Sequence, residues 1–179
     1  MLERPLRGGV CLRVLEESDA SELYALVDRN RAHIGEWMAW VAATHTHADI
    51  LAFLRTTRKQ LAANDGFQCA ISADDTIIGV VGFHAVDWTN RSTSIGYWLA
   101  EDRQGRGTMT DAVRALTDHA FRELWLNRVE IRAAVKNQRS RAIPERLGFE
   151  KEGVLREAER LGERFNDLVV YSMLAKDWM

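Results

Sequence analysis

Residues 67–100 set the tightest limit on what this chain can fold into. Three apolar segments, FQCAI, TIIGVVGFHAV and TSIGYWLA, are separated only by SADD and DWTNRS. Connections that short and polar turn a chain back on itself, so the three segments are expected to pair as an antiparallel meander. The flanking sequence supplies the layers that cover it. VCLRVL reads as an opening strand. EESDASELYALV reads as a helix, with Asp19 and Glu22 spaced as a capping box before Leu23, Leu26 and Val27. RAHIGEWMAWV suggests a short second helix that would place Trp37 and Trp40 three apart on one side, where they either line a groove or plug the core. THADILAFLRTTRKQLA reads as a third, with Thr46 and Asp49 as its box and Ile50, Phe53, Leu54 and Leu61 as its apolar stripe.

After Ala100 the pattern becomes α/β. TMTDAVRALTDHAFREL carries Ala112, Val113, Leu116 and Ala120 at helical spacing, RVEIRAAV is a strand, and QRSRAIPERLG is a helix disturbed by Pro144. GVLREAERL and FNDLVVYSMLA frame GERF as a hairpin. The expected fold class is therefore α/β (α+β): a mixed, mostly antiparallel sheet flanked by helices, with a central strand, helix, strand crossover between neighbouring strands. At 179 residues the chain has room for one domain, 1–179, and not comfortably for two.

Composition removes several classes of function. A net charge of −2 gives no global attraction to nucleic acid or anionic lipid, so anion binding has to be local. MLERPLRGGVCLRVL has charges at residues 3, 4 and 7 with no apolar run behind them, which predicts neither signal peptide nor membrane span, and a cytoplasmic location. Cys11 and Cys69 lack metal-ligand spacing and are expected as buried thiols, and the histidines are scattered, so no metal site is expected.

One stretch points to a ligand. EDRQGRGTMTDAV places Gln104, Gly105, Arg106, Gly107, Thr108 and Met109 between a strand end and a helix start. Unpaired N–H groups and the positive end of the helix dipole favour an anion there, and glycines let it approach the main chain. Arg103 and Arg106 would add charge-assisted bonds. The turn is neither a Walker A loop nor a G-x-G-x-x-G fingerprint. By itself it is weak evidence, better accounted for by a solvent-facing turn.

Taken with SIGYWLA before it and VEIRAAVKNQRSRAIPERLGFEKEGVLREAE after it, the stretch resembles the GCN5-related N-acetyltransferase (GNAT) family, within it the ribosomal-protein-serine N-acetyltransferase branch. The resemblance spans roughly residues 10 to 175. Gln104 and Gly107 match the family's acetyl-CoA motif, while Met109 stands where a small residue is usual. The resemblance implies acetyl-CoA as cofactor, bound by residues 104–109 and Asn137, and an acceptor that is a protein N-terminus. It implies a strand end, YWLA, that parts from its neighbour, with the Leu99 main chain at the thioester oxygen and Trp98 and Ala100 lining the cleft. It further implies Ser140 as proton donor to the thiolate and Glu159, after EGVLREA, as base for the amine.

Each of these residues also has a structural account. Asn137 and Ser140 suit the first turn of the following helix, Trp98 suits a core, and Glu159 suits an exposed hairpin beside Arg156 and Arg160. Glu157 would share a face with Glu159 on a regular strand, and Glu101 and Glu152 are other carboxylates in reach. Cys69, mid-strand and without a histidine partner, is no nucleophile, so direct transfer through a ternary complex is expected. A small amine as acceptor, a non-catalytic CoA-binding module and a homodimer all remain compatible with the sequence.

Overall fold

A computed structural model of the chain describes residues 3–179. Eight strands form one sheet: β1 (Glu3–Pro5), β2 (Val10–Val14), β3 (Phe67–Ala73), β4 (Thr76–Asp87), β5 (Ser92–Leu99), β6 (Arg128–Ala134), β7 (Glu150–Leu161) and β8 (Arg164–Leu174). Their order is β1-β2-β3-β4-β5-β6-β8-β7. The meander β3-β4-β5 is antiparallel as expected, and β5 and β6 are the parallel neighbours joined by the crossover helix.

The helices are α1 (Ala20–Arg29), α2 (Arg31–Gly35), α3 (His47–Ala62), α4 (Thr108–Arg122) and α5 (Gln138–Arg146). Strand alternation sends Val81 and Phe83 into one apolar cluster with Val113, Leu116, Ile143 and Leu147, and Val80 into another with Leu23, Leu26, Ile50 and Leu54. Thus α4 and α5 cover one face of the sheet and α1 and α3 the other. Glycine is required where the layers are thin. A Cβ on Gly79 would lie 2.5 Å from the Trp98 carbonyl oxygen across the β4–β5 ladder.

Two helix starts differ in an instructive way. The box at α3 forms as expected: the Thr46 side chain accepts from the Asp49 N–H, and Asp49 accepts from Thr46 in return. At α1 the Asp19–Glu22 box does not form. Asp19 instead pairs with Arg13 on β2 at 2.8 Å and accepts from the Glu16 N–H, while Glu22 accepts from the Ile77 N–H at 2.6 Å. The expected second helix ends at Gly35, so Trp37 lies in a turn and Trp40 in a short 3-10 segment (Ala39–Ala43). Cys69 is fully buried, and burial pushes its thiol up to about 12; Cys11 is only partly buried, contrary to expectation.

Candidate active site

The site begins where β5 leaves β6. The two strands pair only over Ser92–Ser94 and Arg128–Glu130, and from Ile95 onward β5 has no partner on that side. The Ala100 N–H donates to Ile78 on β4 at 2.9 Å, and the Trp98 carbonyl also faces β4. A planar trans peptide points its N–H opposite its C=O, so the Leu99 N–H and the Leu99 carbonyl both point into the gap.

The gap opens into a cavity of about 1220 Å³, bounded by α2 and its following turn, the end of β5, the glycine turn and the start of α5. That is larger than the roughly 300–1,000 Å³ that suffices for a small ligand. Trp98, Leu99, Gln104, Gly105, Arg106, Gly107, Thr108, Met109, Asn137 and Ser140 all border it. Ala100 does not. Its side chain is buried in the cluster shared with α1 and α3, because the residue after a cleft-facing main chain turns its Cβ to the opposite layer.

The glycine turn is built to present N–H groups. Gly105 (φ +77) and Gly107 (φ +80) are left-handed, and a Cβ on either would meet no protein atom within 4 Å. Along this stretch, Asp111 is the first residue whose N–H bonds back to the chain, to the Gly107 carbonyl at 3.0 Å. The N–H groups of residues 105–110 donate to no protein acceptor among the described residues, and the start of α4 has no side-chain cap. Consecutive free donors at a helix start are an anion cradle. Met109 does not obstruct it, since its side chain is buried in the core. Arg139 and Arg146, which no motif singled out, add charge to the wall. Their spacing of seven residues puts them on one face of α5, which is the only signal the sequence offered.

Asn137 caps α5 by accepting from the Ser140 N–H at 3.1 Å. The Ser140 hydroxyl has no protein partner among the described residues, and it borders the cavity. Tyr97 reaches across from β5, and its hydroxyl donates to the Ser140 carbonyl at 2.9 Å. Burial raises the Tyr97 hydroxyl far above its ordinary value, so it stays protonated and a donor.

The carboxylates separate. Glu36 and Glu101 border the cavity; Glu152 and Glu159 do not. Glu152 is engaged by Arg128 and by the Ser172 hydroxyl, which hold its carboxyl down at about 2. Glu159 sits on β7 opposite Asn166, whose amide donates to it at 3.4 Å. The regular alternation expected for Glu157 and Glu159 is broken by a bulge between Leu155 and Glu159, where Glu157 is left-handed (φ +50) and its N–H donates to Asp167. The hairpin nonetheless leans over the site. Arg164, at its turn, donates to the Glu36 carbonyl at 2.5 Å, and Glu159 is two residues from Leu161, the partner of Arg164. Trp37 borders the cavity, whereas Trp40 packs behind it against Trp98 with ring centres 6.2 Å apart.

A mixed sheet that parts beside a run of free main-chain donors describes an enzyme class that binds an acyl carrier through its backbone. The family model for the Acetyltransferase (GNAT) domain matches residues 10–150, and the chain belongs to this family of acetyl-CoA-dependent acetyltransferases. It is 38% identical to the putative ribosomal N-acetyltransferase YdaF of Bacillus subtilis (strain 168), over 94% of this chain and 93% of the relative. Among solved structures it superposes on the ribosomal L7/L12 alpha-N-protein acetyltransferase RimL in complex with coenzyme A, with TM-score 0.93, 27% identity, and 97% of this chain and 98% of that one covered. It also superposes on the microcin C7 self-immunity acetyltransferase MccE bound to acetyl-CoA and AMP, with TM-score 0.88, 30% identity, and 94% and 93% covered.

Proposed function

We propose that the chain works as one domain, 1–179, that transfers the acetyl group of acetyl-CoA to the α-amine at the N-terminus of a protein, a ribosomal protein in the first instance, in the cytoplasm. The observation that carries this is the cavity: one wall is a main-chain anion cradle, the other is acidic and aromatic, and its volume holds a carrier and a chain end together. The printed names of the full-length relatives YdaF and RimL favour the ribosomal acceptor.

When bound, acetyl-CoA supplies an activated acyl group as a thioester. The N–H groups of residues 105–110 hold its pyrophosphate, with Arg106, Arg139 and Arg146 alongside. The Leu99 N–H faces the acyl carbonyl oxygen and stabilises charge that builds there. Trp98 and Asn137 line the arm of the carrier. Ser140 Oγ donates to the departing sulfur, and a thiolate whose conjugate acid has a pKa of about 8.5 asks little of its donor. Glu159 accepts the proton of the incoming ammonium through water, since it lies outside the cavity wall. An α-amine, with pKa of about 7.7–8.0 against about 10.4 for lysine, needs only this modest help.

Small-molecule acetylation is the second reading, favoured by the Trp37 and Trp98 surfaces on the cavity wall, where a flat ring could stack. The deciding experiment incubates the protein with acetyl-CoA and a cellular extract and maps new acetyl groups by mass spectrometry. Acetylated protein N-termini are expected; acetyl groups confined to small molecules would overturn the protein-acceptor reading.

A further inference from the structure

His33 belongs to no motif, yet it borders the cavity from α2, and its Nε2 lies 2.6 Å from the side-chain nitrogen of Gln104. Gln104 is held from two further directions. Arg139 donates to its Oε1 at 3.0 Å, and its Nε2 lies 3.5 Å from the Leu99 carbonyl. These contacts decide which end of the amide is which. Turning it over would set its NH₂ against the Arg139 guanidinium and its oxygen against the Leu99 carbonyl, two repulsive pairs in place of two attractive ones. With the nitrogen facing His33, the imidazole Nε2 has to accept. The ring is therefore neutral and carries its proton on Nδ1. An imidazolium has no lone pair and would oppose N–H to N–H.

We propose that neutral His33 is a positioning residue for acetyl-CoA binding: with Arg139 it clamps Gln104, the residue that enters the glycine turn, and protonation of the ring opens the clamp. The inference rests on the cavity being the acetyl-CoA site. Gln104 immediately precedes the free N–H groups of 105–110, so its restraint fixes where that cradle starts. The clamp also joins α2, on the acceptor side, to α5, on the carrier side, through one amide. The charged groups sharing the cavity wall with His33 are Glu36 from the end of α2, Glu101 and Arg106 from the turn before α4, and Lys136, Arg139 and Arg146 from α5 and its approach. Arg31 on the same helix is taken up by Asp28, and Arg164 of the hairpin by the Glu36 carbonyl.

The test is CoA affinity by calorimetry at about pH 7.5 and about pH 5.5, for the wild type, His33→Gln and His33→Ala. The phosphate of CoA titrates in this range as well but affects all three proteins alike. His33→Gln keeps an acceptor at every pH. The wild type should lose at least about fivefold more affinity on acidification than His33→Gln, and His33→Ala should bind weakly at both values. Equal losses in the wild type and His33→Gln would overturn the clamp while leaving the acetyl-CoA site standing. A folded wild type that binds no CoA at about pH 7.5 would overturn both. Linkage supplies a check without variants, because CoA must lower the titration midpoint of one imidazole in the NMR spectrum of the wild type, and no change would reject the proposal.

Discussion

The Tyr97 hydroxyl and the Ser140 carbonyl, 2.9 Å apart, bridge β5 to α5 across the space where β5 and β6 no longer pair. This bond fixes the first turn of α5 relative to Leu99, and so fixes the Ser140 hydroxyl relative to the main chain beside which it is proposed to act. Tyr97→Phe removes the donor and leaves a partly buried carbonyl unpaired, with a stability loss of about 1 kcal/mol by urea unfolding. Turnover should fall by about tenfold with a smaller change in KM for acetyl-CoA, because the misplaced group acts mainly as charge develops. Equal kcat in the two proteins would show that α5 holds Ser140 without help.

Gly107 tests the cradle. Its φ of +80 strains any L residue, but a Cβ there meets no protein atom within 4 Å. Gly107→Val should therefore still fold, at a strain of about 1–3 kcal/mol, and bind CoA at least about tenfold more weakly, some 1.4 kcal/mol. Unchanged affinity in the folded variant would remove this turn from the binding site.

Ser140 and Glu159 are proposed to move different protons, so their variants should differ in kind. Ser140→Ala is expected to lower kcat with little effect on acetyl-CoA affinity. Glu159→Gln should lower kcat/KM most where the acceptor amine is protonated, and the loss should shrink above about pH 8 as the α-amine deprotonates unaided. A Glu159→Gln profile parallel to the wild type at every pH would move attention to Glu101, which borders the cavity directly.

Glu152 gives a test of stability against pH. Its carboxyl is held at about 2, below the ordinary 4.5, by Arg128 and Ser172. A depressed carboxylate stabilises the folded state fully above its unfolded value and loses that contribution as pH falls toward its folded value. Between about pH 4.5 and about pH 2 the wild type should therefore lose stability more steeply than Glu152→Gln, though modestly because the pair is solvent-exposed. Superimposable urea midpoints across that range would show that the pair contributes nothing.

What could be read from the chain alone follows the range of the interactions involved. The Thr46–Asp49 box and the β3-β4-β5 meander depend on near neighbours, and both form as read. The Asp19–Glu22 box does not form because Arg13, six residues back, takes Asp19, and the Ile77 N–H, which only the assembled sheet brings near, takes Glu22. The left-handed glycines and free N–H groups of the turn could be anticipated because they belong to the main chain. Ala100 keeps its side chain off the cavity wall because a strand end exposes alternate groups in opposite directions, and one residue of register decides between cleft and core. His33 carried no signal, as its partner Gln104 lies 71 residues away.

The parting of β5 from β6 leaves polar main-chain groups facing a gap inside an otherwise continuous sheet. A sheet that zipped shut would satisfy them with its own strands, whereas here solvent or a ligand has to do so. Whatever lies in the gap and answers those groups acts as a piece of the fold, and its affinity adds directly to resistance against unfolding. If acetyl-CoA is that occupant, saturating the protein with it should raise the unfolding midpoint.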